Sequence, residues 1–123
     1  MADSILRDLS KEFAKNIVFL YRKLRAEGTE FTLVNQLLRC GTSIGANIHE
    51  AQYAQGKKDF VSKLEIALKE CNECEYWLDL LLNVDSIKKS DFDYFSEKCT
   101  NIRRMLISSV TTVKQNYDKN ITP

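Results

Sequence analysis

The sequence predicts an all-α protein folded as an up-down-up-down four-helix bundle, and three observations carry that prediction. Apolar residues recur at steps of three and four in four separate segments, which is the period of one helix face and not of a strand. The segments, about 4–27, 31–53, 57–82 and 91–116, are joined by short connections, which make consecutive helices antiparallel neighbours. Finally, 123 residues of 44% hydrophobic composition suffice for one core without a metal or disulfide staple, so 1–123 reads as a single domain.

In the first helix Ile5, Leu9, Phe13, Ile17, Leu20, Tyr21 and Leu24 form the apolar stripe. Arg7, Lys11 and Lys15 follow one another at spacings of four on the other side, with Arg22, Lys23 and Arg25 beyond them. Such a row reads first as a solvated face supported by Asp8 and Glu12. Gly28 suits a left-handed helix end.

The second helix is anchored by Leu33, Leu37, Leu38, Ile44 and Ile48. Gly41 and Gly45 weaken it by about 1 kcal/mol each relative to Ala, so tertiary packing must compensate. They stand one turn apart and lack Cβ atoms, which predicts close approach of a neighbouring helix. They do not follow a strand, and no Lys-Ser/Thr pair completes a phosphate loop. Asn47 lies between Ile44 and Ile48, where an amide needs partners and can fix helix register or subunit arrangement. Glu50 is placed to accept from an adjoining helix or subunit, although exposure is the ordinary fate of a glutamate.

A break at Gln55 and Gly56 precedes the third helix, where Asp59 suits the positive end of the helix dipole. Its core series is Phe60, Leu64, Ala67, Leu68, Cys71, Cys74, Leu78 and Leu81. Glu70, Glu73 and Trp77 project near one another. A carboxylate pair needs a substrate site and perturbed protonation before it does acid–base work, and neither is visible, so the pair is assigned to polar packing or an interface. Tyr53, Tyr76 and Trp77 exceed what the inner stripe requires and are candidate oligomer contacts. Ser90 with Asp93 reads as a capping box for the fourth helix. That helix buries Phe92, Phe95, Cys99, Ile102, Leu106, Ser109, Val110 and Val113, carries Arg103 and Arg104 at its edge, and gives way to a frayed tail over 118–123.

Eighteen basic residues nearly balance seventeen acidic ones, so no global field announces a polyanionic partner. The beginning MADSILRDLSKEF lacks the pattern of a secretory signal, and no apolar run approaches the roughly 20 residues that span a bilayer, which predicts a cytoplasmic protein with no membrane partner. Cys40, Cys71, Cys74 and Cys99 then read as small core thiols. One CxxC on a helix and a lone His49 on another fall short of the four ligands of structural zinc, so no metal or other cofactor is expected. With no nucleophile–base constellation either, the chain reads as a non-enzyme.

The stretch from Gln36 to Leu78 also carries a resemblance. Gln36-Leu37, Arg39, Thr42-Ser43-Ile44, Ala46-Asn47-Ile48 and Glu50 are followed by Asp59-Phe60, Lys63-Leu64, Ile66-Ala67-Leu68-Lys69-Glu70, Glu73 and Tyr76-Trp77-Leu78. In this combination the chain resembles the four-helix-bundle proteins encoded in intervening sequences of bacterial 23S ribosomal RNA genes, the S23-like proteins. It also resembles their relatives among the accessory proteins of diversity-generating retroelements. The resemblance implies an intracellular homopentamer around a central axis, with no established enzymatic activity. Retroelement relatives associate with a reverse transcriptase and bind nucleic acid through basic surfaces. Carried over, that role would fall on Arg7, Lys11, Lys15, Arg22, Lys23 and Arg25, joined by Arg103 and Arg104. Two readings follow: an oligomeric structural or protein-interaction module, and a nucleic-acid-binding accessory of an RNA or reverse transcriptase partner.

Overall fold

The computed structural model describes residues 2–121 and consists of four helices, α1 (Ala2–Ala26), α2 (Phe31–Ala51), α3 (Lys57–Asn83) and α4 (Lys89–Ile121). Each helix packs on its neighbours in a closed cycle, α1 on α2, α2 on α3, α3 on α4 and α4 back on α1. The α4–α1 seam is the most sparsely packed of the four. No helix among the described residues is long and apolar enough to cross a membrane.

The turns explain where the helices stop. At the end of α1, Gly28 adopts a φ of 87°, Thr29 N–H donates to the Leu24 carbonyl at 2.9 Å, and Gly28 N–H donates to that of Arg25 at 3.1 Å. This six-to-one and five-to-two pair satisfies the orphan carbonyls of the last turn. The end of α3 repeats the motif with Asp85 in the glycine position at a φ of 60°, Ser86 donating to Leu81 and Asp85 to Leu82. Between α2 and α3, Gly56 has a φ of 112°, and Asp59 in the first turn of α3 accepts from the Gln55 N–H at 3.1 Å. The α2 helix ends at Ala51, so Gln52 and Tyr53 belong to this turn.

At α4 the bounds differ from those expected. The helix begins at Lys89, with Phe92 N–H already donating to Lys88, so Ser90 is an internal residue and not a cap. Asp93 pairs with Lys89 one turn back instead of reaching toward Ser90. At the other end the helix continues to Ile121, so the tail expected to fray from Asp118 is helical that far, and Thr122 and Pro123 lie outside the described residues.

One apolar core fills the bundle. From α1 it takes Leu6, Phe13, Ile17, Leu20 and Leu24, while Ile5 (52% exposed) and Leu9 (38%) sit outside it. Phe13, Ile17, Leu20 and Leu24 fall where expected, whereas over the first turns the buried row runs through Leu6 and the polar Ser10 instead of Ile5 and Leu9, and Ser10 is only 1% exposed. Its hydroxyl donates to the Arg7 carbonyl at 3.1 Å, which removes the cost of burying it. On α2 the core likewise centres on Val34, Leu37, Cys40, Ile44 and Ile48, leaving Leu33 and Leu38 half-buried at its edges. Gly41 and Gly45 let α1 approach: a Cβ on Gly41 would lie 2.9 Å from Ile17, and one on Gly45 would lie 3.3 Å from the Ser10 carbonyl oxygen.

Candidate interaction faces

Around the seam between α2 and α3 the polar residues of the central stretch come together. Glu70 and Glu73 stand one turn apart on α3, and Arg39 reaches across from α2 to both. Its Nη1 donates to Glu70 at 3.2 Å and its Nη2 to Glu73. The hydrogen bond to Glu73 raises the Arg39 guanidinium above its ordinary range, against a smaller opposing effect of desolvation. The two carboxylates are therefore held by a guanidinium that bridges helices. Glu70 is the more enclosed of them, at 16% side-chain exposure.

The remaining residues of that set divide. Asn47 is half-buried and donates to the Ser43 carbonyl at 2.9 Å, so its amide is satisfied within its own helix and bridges to no neighbour through that bond. Glu50 is exposed. Trp77 packs partly against the core, and its buried indole nitrogen has no hydrogen-bond partner among the described residues. Tyr76 stands 60% exposed with its ring edge-on to Trp77, centroids 5.0 Å apart. Tyr53 is exposed in the α2–α3 turn against His49.

The predicted basic set does not share one surface, because Lys23 turns toward α4 and Arg103 and Arg104 stand on α4 itself. Arg7, Lys11 and Lys15 are exposed on α1, and Arg7 and Lys11 line a cleft of about 380 Å³ whose α2 wall includes Thr42, Gly45 and His49. Lys15 pairs with Glu12 at 2.9 Å. Further along α1, Arg22 lies over the Phe19 ring and Arg25 over that of Phe31, while Arg25 also donates to the Thr29 carbonyl. Lys23 turns to α4, where its hydrogen bond to Asp91 at 3.0 Å raises the ammonium above its ordinary range. Arg103 is occupied by Glu75 of α3 at 2.9 Å, and Arg104 is exposed on α4.

A second face escaped the sequence reading. Along the loose seam between α1 and α4, a cleft of about 150 Å³ is bounded by Leu9, Phe13, Asn16, Tyr94 and Ile102. Asn16 Nδ2 donates to the Tyr94 hydroxyl at 2.9 Å across it. Ile5 lies exposed on the same helix, and Phe19, 54% exposed, lines a second shallow cleft in this seam. The available signal was the extra apolar width of α1, whose Ile5, Leu9 and Phe19 lie beyond what a single buried stripe uses.

All four cysteines are free and buried, and no three His, Cys, Asp or Glu among the described residues converge as a metal site.

A family model described as 23S rRNA-intervening sequence protein matches residues 2–108, nearly the whole bundle. The chain belongs to that family. Among solved structures, a protein of unknown function from the S23 ribosomal protein family of Bacteroides thetaiotaomicron is 48% identical, with a TM-score of 0.88. The match covers 90% of this chain and 99% of that one. No curated protein matches. The 23S rRNA-intervening sequence family thus accounts for the four-helix fold, and its match spans Arg39, Glu70 and Glu73 together with the α1 side of the loose seam.

Proposed function

We propose that this chain is a non-enzymatic interaction module that assembles with copies of itself, with a cyclic homopentamer as the favoured state. The observation that carries the reading is the α1–α4 seam, where Ile5, Leu9, Phe19 and Tyr94 remain exposed beside a partly open cleft. Apolar rows of this kind on a small domain mark association surfaces more often than scattered single residues do. A ring also needs two different, complementary patches on each subunit, because its contacts are head-to-tail. The α2–α3 face, with Tyr76, Trp77, Asn47, Glu50 and the Arg39–Glu70–Glu73 cluster, supplies a second candidate patch across the bundle. The non-enzymatic part is supported by Arg39, which engages the carboxylates of both Glu70 and Glu73.

Multi-angle light scattering of nucleic-acid-free protein tests this directly. A stable mass near five times 14.2 kDa is the expected result, and a monomer over a wide concentration range overturns the proposal.

A second reading, a nucleic-acid-binding accessory to an RNA or reverse transcriptase partner, is favoured by the cleft between α1 and α2. There Arg7 and Lys11 face His49, and Lys15, Arg22 and Arg25 extend the row along α1. Assembly would multiply that row into a larger footprint. Binding to structured RNA or DNA that weakens steeply with salt supports it, and no binding at low salt removes it.

A further inference from the structure

We propose that the cleft in the loose α1–α4 seam receives Tyr76 of a second copy of this chain, with Asp79 of that copy set beside Lys98. The inference rests on the self-assembly proposed above and names the residues that meet at each junction. The cleft, about 150 Å³, has room for one six-membered ring, since an apolar cavity of about that size holds benzene. It is lined by the buried Phe13 and Ile102, by Leu9 and Tyr94, and by the polar Lys98 and Asn101. A tyrosine suits this mixed lining, because its ring covers the apolar groups while its hydroxyl stays among the polar ones.

Three observations choose the occupant. The first is charge. Over residues 4–26 α1 carries six basic and two acidic side chains, and over 89–116 α4 carries five and three, whereas α3 carries four and six. The helices that form the cleft are net positive and the helix that bears Tyr76 is net negative, so unlike faces attract and like faces repel. At closer range, Lys98 lies over the Tyr94 ring at 5.5 Å, and Asp79 accepts from the neutral Asn83 amide at 3.3 Å. Neither is ion-paired among the described residues, which leaves both charges to pair across a junction.

The second is height along the bundle. Arg103 of α4 donates to Glu75 of α3 at 2.9 Å, which sets Ile102 of the cleft level with Tyr76. The cycle of packed helices puts α3 diagonally across from α1, so the ring and the cleft face different sides. Rotation about a ring axis parallel to the bundle preserves height, and level patches on different sides therefore meet head-to-tail. Tyr53 is more exposed but stands in the α2–α3 turn at the end of the bundle, off that level. The third is preorganisation. The exposed Tyr76 ring packs edge-on to Trp77 with centroids 5.0 Å apart, so less freedom is lost when it docks.

The test measures the native chain by light scattering, then irradiates the Tyr76→p-benzoylphenylalanine variant. The expected cross-link joins two chains on a denaturing gel and runs from position 76 to peptides within 9–16 or 94–102. Lys98→Glu and Asp79→Lys should each raise the dissociation constant about tenfold at low salt, because each sets like charges together, and the double variant should restore it. Both positions are exposed, and circular dichroism checks that helicity is unchanged. A native monomer overturns the assembly reading and this junction together. A native oligomer whose cross-links map to other segments, whose single variants assemble normally, or whose double variant shows no recovery overturns the junction alone.

Discussion

The α1–α2 and α1–α4 seams share one helix and differ in nearly everything else. Against α2, α1 meets two glycines and closes until Ile17 and the Ser10 backbone touch the opposing helix. Against α4 it packs loosely, keeps a cleft, and leaves Ile5, Leu9 and Phe19 uncovered. One side of α1 is thus finished within the chain and the other is not. The lesson is that an apolar stripe wider than one buried face does two jobs, with its inner part holding the fold and its outer edge available to a partner.

The largest stability effect should come from the finished side. Ile44 is fully buried on α2, and Ile44→Ala should cost about 2–5 kcal/mol through lost burial and the cavity left behind. Gly41→Val tests the close approach itself. Even the first added carbon would lie 2.9 Å from Ile17, so the helices must separate, at a cost of about 1–3 kcal/mol. Both are read from the urea midpoint at unchanged slope. An unaffected Gly41→Val protein would show that this seam is as loose as the other.

These residues also show how far the fold was legible. Four helices could be read because long periodic runs are a strong signal, and Gly28 marked the α1 end because its motif needs a left-handed residue there. The end of α3 uses the same motif with Asp85, a residue that tolerates this conformation without announcing it. The course of the buried row over the first turns of α1 was hidden by Ser10, whose burial depends on a backbone hydrogen bond and on Gly45 opposite. Of the candidate site, the convergence of Glu70 with Glu73 follows from helix spacing. Their bridge to Arg39 needs the register of α2 against α3, which no single helix contains.

Two smaller effects sharpen the contrast between seams. Arg39→Ala should cost about 0.5–1 kcal/mol, since the cluster is partly exposed and screened, and salt should shrink the difference. A double-mutant cycle with Glu73→Gln isolates the bridge, and zero coupling would reduce it to a surface decoration. Asp85→Gly should stabilise by about 0.5–1 kcal/mol, because glycine adopts the φ of 60° without a Cβ penalty. A loss of stability there would mean that the aspartate side chain contributes more than its backbone conformation costs.

The smallest effect on folding should carry the largest consequence for assembly. Phe19 and Ile5 are about half exposed, so Phe19→Ser and Ile5→Ser should each shift stability by no more than about 0.5 kcal/mol. If the α1–α4 seam is an interface between copies, the same substitutions should lower the light-scattering mass toward 14.2 kDa. Tyr76→Ser makes the parallel test on the α2–α3 face. In a head-to-tail ring a substitution on either patch breaks every contact, because each junction uses one of each. Dissociation by both sets therefore places the two faces at the same junction, whereas dissociation by Tyr76→Ser alone assigns the contact to the α2–α3 face and leaves the open seam to a different partner.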